Sequence, residues 1–183
     1  MTATPDLEQA IEVLNNDGVI ITVTDTIPGL SCLANSPDAI QKIIQIKQRP
    51  DDKGLILTAG QLQLLEGYCQ SISAPQRERI ETTAEPTTWL VKARVSINKH
   101  LTGSYDTIAI RLSNHPLIAA LTEALQQPLV TTSANLHAQA SVSELDQISN
   151  QVVDQVDLVL DGPAGTGSAS VIIRLDNNQT IRT

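Results

Sequence analysis

Lys47-Gln48-Arg49-Pro50-Asp51-Asp52-Lys53-Gly54-Leu55-Ile56-Leu57 runs from the end of a helix into the start of a strand. Three cations fall within seven positions, and Pro50 stops the helix just after the second of them. Lys47 and Arg49 therefore stand at an element end. An ammonium and a guanidinium fixed close together suit phosphate oxygens, the first as a compact charge and the second as a planar fork of donors. Cations in the last helical turn also complement the helix dipole, so these eleven residues alone leave both readings open.

Upstream, Ser36-Pro37 opens the helix, and Ile40, Ile43 and Ile44 give it an apolar face before Lys47 is reached. Before that, Thr4-Pro5 reads as an N-cap and first helical residue, with Leu7, Ala10, Ile11 and Leu14 at helical spacing until Gly18. Val19–Val23 reads as a buried strand that ends in a hydroxyl-rich turn from Thr24 to Leu30. Downstream, Leu55–Thr58, Thr87–Ala93, Thr107–Leu112 and Pro128–Thr132 read as strands, with helices near 61–68 and 75–82 and one opened by His115-Pro116. Ser141-Val142-Ser143-Glu144 fits a capping box, which predicts a helix over 142–150. Strands at Leu158–Leu160, Ser170–Leu175 and Thr180–Arg182 close the chain, the last two as a hairpin. Strands alternating with helices through short connections indicate one α/β domain over 1–183 with a mixed sheet.

A chain of 183 residues can bury a substantial core, and aliphatic side chains must build it, because there is no Phe, one Trp and two Tyr. Base-stacking platforms for single-stranded RNA are not expected from that composition. The formal charge of −8 argues against a surface that wraps nucleic acid. Residues 42–111, however, hold ten of the twelve Lys and Arg against seven of the twenty Asp and Glu, a local +3, leaving −11 elsewhere. A cationic middle in an acidic chain suggests a pocket for a small anion. Cys32 and Cys69 read as reduced core thiols. The N-terminus shows no basic region followed by an apolar run, and no apolar stretch reaches membrane length, so a cytoplasmic chain without a membrane partner is expected.

Four segments combine into a pattern: Thr24-Asp25-Thr26 with Gly29-Leu30; Lys47-Gln48-Arg49-Pro50 with Lys53 to Leu57; Ile110-Arg111 with His115-Pro116; and Thr131-Thr132-Ser133-Ala134-Asn135. In this order and spacing they resemble the YrdC family, in its short bacterial, TsaC-type form, over about residues 8–175. The resemblance implies a twisted mixed sheet flanked by helices around a deep cationic cavity. It also implies an enzyme that joins L-threonine, bicarbonate or CO2, and ATP into threonylcarbamoyl-adenylate with release of pyrophosphate. That product feeds the t6A modification of tRNA through downstream threonylcarbamoyl-transfer proteins.

On that resemblance Lys47 and Arg49 would hold ATP phosphates and offset charge at the α-phosphorus. Thr132, Ser133, Asn135 and Ser170 would bind the nucleotide, although Ser and Asn at a strand end also satisfy ordinary turns. Arg111 would pair with the threonine carboxylate, with a structural ion pair as the alternative. Thr24 and Thr26 would line the threonine and carbamate region, or merely shape the turn. Asp25 would orient a magnesium-bound water or cap a neighbour. Mg2+ is expected to arrive with ATP, since it keeps its waters and uses substrate phosphates.

The family usually shows Tyr-Pro where this chain has Thr22-Val23, an aromatic at Pro28, and a Pro-Gly-Pro where Ala84-Glu85-Pro86 stands, which brings an acidic charge into question near the phosphates. The Gly162-to-Ser168 loop resembles a phosphate loop in composition, yet it lacks the following lysine and leads into a strand. It reads as a flexible rim. The rival reading is a non-catalytic RNA-binding or ribosome-maturation module of the same fold, with tRNA or structured RNA as partner.

Overall fold

A computed structural model describes residues 5–50 and 52–183; the Thr4 cap expected from sequence lies outside them. Helix α1 spans Pro5–Asn15, followed by strands β1, Ile20–Thr22, and β2, Gly29–Leu33. Next come α2, Pro37–Lys47; β3, Ile56–Ala59; α3, Leu62–Glu66; α4, Ala74–Thr82; and β4, Thr87–Lys92. Then follow α5, Lys99–Thr102; β5, Thr107–Leu112; α6, Pro116–Leu125; and β6, Leu129–Ser133. The chain ends with α7, Asn150–Val153; β7, Leu158–Leu160; β8, Val171–Arg174; and β9, Thr180–Arg182. All nine strands form one sheet in the order β7-β1-β2-β6-β3-β5-β4-β8-β9. β1 with β7, β3 with β5, and β4 with β8 run parallel, while the other pairs are antiparallel, which makes the sheet mixed as expected.

Two sequence expectations fail here. The stretch ending at Leu30 was expected to be turn, but Gly29–Leu33 is a central strand with all five residues buried. Its glycine, serine and cysteine carry no β-branched signature, and pairing with β1 on one side and β6 on the other imposes the conformation. The helix expected over 142–150 is only a 3₁₀ turn at Leu145–Gln147 followed by α7. Ile148 breaks it: its backbone is extended, with ψ 131, and its side chain is drawn into the core at 6% exposure. Ser149 then caps a new helix by accepting from the Gln151 amide at 3.3 Å.

Helix α2 forms where the sequence signals it. The Ser36 hydroxyl accepts from the Ala39 amide at 3.2 Å, Pro37 takes the first turn, and Gln48 at φ 49 ends the helix in the left-handed region. Ile40, Ile43 and Ile44 pack with Ile108, Ile110 and Trp89 in the larger of two cores. In the smaller, Ala10 and Leu14 of α1 meet Ile118 and Leu121 of α6 over Ile20 and Leu129. Strand alternation divides β5 between these duties, with Ile108 and Ile110 wholly buried in the large core and Ala109 and Arg111 on the opposite face.

Candidate active site

That opposite face is the floor of a cavity of about 590 Å³. The register aligns Thr131 of β6, Ile56 of β3, Ala109 of β5, Leu90 of β4 and Arg174 of β8 as one row of cross-strand neighbours, and all five line it. Beyond them, β8 Ile172 pairs with β9 Arg182, and both also line the cavity. Five cations face the space: Arg49, Lys53, Arg111, Arg174 and Arg182. Among the described residues no Asp or Glu lines it.

Arg111 is 4% exposed. Its Nη1 donates to Thr26 Oγ1 at 3.1 Å, and its Nη2 lies 3.3 Å from Asp25 Oδ1, close enough for charge attraction although no hydrogen bond forms there. Its Nε is buried without a protein acceptor. Burial lowers the guanidinium pKa, Asp25 opposes that shift, and the charge of Arg182 adds to it. A buried guanidinium beside a hydroxyl, with an unused donor, is suited to a carboxylate.

Thr24 and Thr26 separate in role. Thr24 Oγ1 lies 2.9 Å from Thr26 Oγ1 and 2.9 Å from Ile27 O, and accepts from the Thr26 amide at 3.0 Å, so it holds the turn closed. Only Thr26 of the pair lines the cavity. Thr24 faces a second cavity of about 270 Å³ that Val23 and Pro28, two of the departures from the family pattern, also line. Those departures therefore lie on the far side of the turn. Glu85 is exposed ahead of β4 and does not line the main cavity.

Lys47 and Asn135 stand behind the wall. The Lys47 ammonium, on a side chain 4% exposed, donates to the carbonyl of Ser133 and to Asn135 O at 2.8 Å, with Asn135 Oδ1 at 3.4 Å and Ser133 Oγ at 3.5 Å. The Asn135 amide donates to Leu136 O at 3.1 Å and Gln139 O at 2.7 Å. Their polar atoms are used within the protein, whereas Ser133, Thr132 and Arg49 reach the cavity. Arg49 Nη2 donates to Gly54 O at 2.6 Å, which turns its guanidinium across the loop toward β3, and its buried Nε has no protein acceptor.

Ser170 lines the cavity, with Oγ 2.8 Å from Thr88 Oγ1. The preceding loop, exposed over 161–169 and expected from sequence to be a flexible rim, touches the turn at two points and His115 at a third. Thr166 N donates to Asp25 O at 3.1 Å, Gly167 N to Thr26 O at 3.0 Å, and a His115 ring nitrogen lies 2.8 Å from Pro163 O. A Cβ on Gly165 would fall 2.3 Å from Thr24 O, so only glycine permits this approach.

Sequence reasoning missed Lys53, Arg174 and Arg182 as cavity residues. Lys53 lies inside the cationic stretch 47–57, whose charge is the signal for it; Arg174 and Arg182 are outside the cationic middle and join it only through sheet order.

A model of the Sua5/YciO/YrdC family, described as telomere recombination, matches residues 12–183. The chain is 36% identical over 163 residues to the threonylcarbamoyl-AMP synthase of Vibrio vulnificus, covering 87% of this chain and 88% of that protein. To the threonylcarbamoyl-AMP synthase of Xanthomonas campestris it is 34% identical over 168 residues, covering 90% of each. The crystal structure of E. coli YciO superposes with a TM-score of 0.83 at 27% identity, covering 96% of this chain and 87% of that one. P. abyssi Sua5 complexed with L-threonine gives 0.86 at 22% identity, covering 95% of this chain and 52% of that one. That likeness shows the fold, and this chain spans about half the Sua5 length.

Proposed function

The chain belongs to the Sua5/YciO/YrdC family, and from that membership we propose that it is a threonylcarbamoyl-AMP synthase. It joins L-threonine, bicarbonate or CO2, and ATP into threonylcarbamoyl-adenylate and releases pyrophosphate, for t6A modification of tRNA. The observation that carries the reading is the cavity, where five cations face one space with no lining carboxylate among the described residues. Such a site suits a triphosphate together with an amino-acid carboxylate.

The reaction is a nucleotidyl transfer. A carbamate oxygen formed on the threonine amine attacks the α-phosphorus, and the bond to the bridging oxygen breaks as pyrophosphate leaves. Arg111 takes the threonine carboxylate, and Thr26 lines the threonine and carbamate region beside it. Arg49, joined by Lys53, faces the phosphates, where positioning and charge do most of the catalysis. Thr132, Ser133 and Ser170 donate to the nucleotide. Lys47, Asn135 and Thr24 act one step back by fixing the turns that carry Ser133 and Thr26. Carbamates lose CO2 in water, so a closed cavity protects the intermediate.

The residues present do not fit a protein-held magnesium. Among the described residues no group of three His, Cys, Asp or Glu could hold a metal, and the Asp25 carboxylate faces Arg111. Mg2+ enters on the ATP phosphates. The adenylate passes to downstream transfer proteins in the cytoplasm; among the described residues no helix is long and apolar enough to cross a membrane. The RNA-module reading is not favoured, because the cations line a cavity in a chain of net charge −8.

The test is pyrophosphate and adenylate production from ATP by purified protein, with and without bicarbonate and L-threonine, and with L-serine as comparison. Turnover that needs both threonine and bicarbonate is expected. Equal turnover without threonine, or with serine in its place, overturns the assignment.

A further inference from the structure

His115 stands between β5 and α6 at 6% exposure, with its backbone fixed on both sides. Its amide donates to Ser113 Oγ at 3.2 Å, its carbonyl accepts from Ala119 N at 3.0 Å, and Pro116 follows it as the first residue of the helix. The imidazole makes no capping bond to that helix. It reaches instead to the loop before β8, with Nε2 2.8 Å from Pro163 O. A carbonyl only accepts, so Nε2 carries a proton and donates it.

Residues 161–169 are exposed throughout, so no buried side chain of the loop fixes its place. Gly162 packs beside the same end of α6, where a Cβ would fall 2.5 Å from Leu117 Cδ1 and 3.2 Å from Val23 Cγ2. Three residues further on, the loop is pressed against the turn beside Arg111. A Cβ on Gly165 would meet Thr24 O at 2.3 Å and Thr26 O at 2.6 Å, and the amides of Thr166 and Gly167 donate to Asp25 O and Thr26 O at 3.1 and 3.0 Å. Proline has a fixed φ, and only Ala164 separates Pro163 from Gly165, so little chain is left to absorb a shift at Pro163.

The turn in question orients Arg111. Thr26 Oγ1 accepts from its Nη1, the Asp25 carboxylate faces its Nη2, and Thr24 Oγ1 lies 2.9 Å from both Thr26 Oγ1 and Ile27 O. Contacts therefore run from His115 through Pro163 and two loop amides to the residues that direct the guanidinium.

We propose that His115 is a positioning residue for the amino-acid end of the cavity: by holding Pro163 it seats the 162–167 loop on the Asp25–Thr26 turn, and through that turn it sets how Arg111 meets the threonine carboxylate. This rests on the synthase reading and on Arg111 as the partner of that carboxylate. Ser170, just beyond the loop, is held separately by Thr88 at 2.8 Å and by Arg182 Nη2 at 2.8 Å, so the nucleotide side is less affected.

The experiment compares wild type, His115→Leu and His115→Gln. Leucine fills the space without a donor, whereas glutamine keeps an N–H near the place of Nε2. The readouts are amide exchange at Thr166 and Gly167, the Kd values of L-threonine and ATP by calorimetry, and pyrophosphate release. His115→Leu should speed exchange at both amides and raise the threonine Kd about three- to tenfold, the usual range for one hydrogen bond, while the ATP Kd changes less than about twofold. His115→Gln should recover most of both effects. If leucine prevents folding, His115→Asn, whose amide is too short to reach Pro163, replaces it with the same expectation. Unchanged exchange, faster exchange with an unchanged threonine Kd, or an equal loss for threonine and ATP overturns the assignment, the last because it marks a purely structural residue. A wild type that turns over with threonine while the variants match it removes His115 alone. A wild type that neither binds threonine nor releases pyrophosphate removes the synthase reading and this assignment with it.

Discussion

The Lys47 ammonium lies 2.8 Å from the carbonyl oxygen of Asn135 and also donates to the carbonyl of Ser133, so the end of α2 is fastened to the turn after β6. The turn answers with a bond in the other direction, from His137 N to Lys47 O at 2.8 Å. One residue thereby connects the cationic stretch to the hydroxyl-bearing strand end. Lys47→Met takes the ammonium donor from Asn135 O, while Ser133 O keeps the Asn135 amide at 2.9 Å, so one buried carbonyl is left unsatisfied at about 1–3 kcal/mol. We expect faster amide exchange at His137 and at least a tenfold loss of ATP turnover, about 1.4 kcal/mol in the barrier. Unchanged exchange there would show that the turn holds itself.

The same lysine should give stability a pH dependence. Burial, with the nearby Arg49 charge as the second cause, pushes its pKa down to about 8 from an ordinary 10.5. Between those values the unfolded chain binds the proton that the folded chain has released. Stability at this residue therefore rises with pH across that window, with a ceiling of about 3 kcal/mol. Denaturant midpoints of wild type should climb relative to those of Lys47→Met from pH 8 to pH 10. Parallel profiles would contradict the burial argument.

Arg111→Lys keeps a positive charge near Asp25 but removes the fork that reaches Thr26 while leaving a further donor for a carboxylate. L-threonine affinity should fall about tenfold or more, with a smaller change in ATP affinity. Calorimetric titration with each ligand separates the two. An equal loss for both would place Arg111 in the architecture of the cavity instead of at the amino acid.

Gly165→Ala pushes a methyl group to within 2.3 Å of Thr24 O. The loop must lift, which breaks the Thr166-to-Asp25 and Gly167-to-Thr26 amide bonds that hold the turn beside Arg111. A cost of about 1–3 kcal/mol is expected from overpacking, with faster exchange at both amides and a higher threonine KM. Wild-type exchange at Thr166 and Gly167 would refute the clamp.

Ile110→Ala tests the opposite face of β5. Ile110 is wholly buried in the larger core, so truncation should cost about 2–5 kcal/mol. Because it points away from Arg111, turnover measured well below the lowered melting temperature should stay near wild type. A collapse of activity at temperatures where the variant remains folded would show that the strand itself had shifted.

Local chemistry explains what was legible in the chain. Ser36 and Pro37 start α2, and the alternation of Thr107–Leu112 sends Ile110 to the core and Arg111 to the other side. Both follow from neighbours within a few residues, which is why they can be read without a structure. The four segments that mark the family are likewise short runs whose order survives in the sequence. Strand β2 was not legible, because Gly29, Ser31 and Cys32 are strand residues only by virtue of the partners on either side. The helix expected over 142–150 failed for a related reason: the capping pattern was local, whereas the burial of Ile148 was not.

The site divides along the same line. Residue types and their order place a cationic helix-to-strand junction, a hydroxyl-bearing turn and a strand-borne arginine in one acidic α/β chain. Long-range packing fixed that the Lys47 ammonium is spent on backbone carbonyls while Arg49 and Lys53 face the cavity. It also decided that Arg174 and Arg182, far along the chain, complete the charge opposite Arg111. A side chain's type and face are set by its own strand or helix, but its partners are set by which strands pair, and here β4 pairs with β5 on one edge and with the closing hairpin on the other.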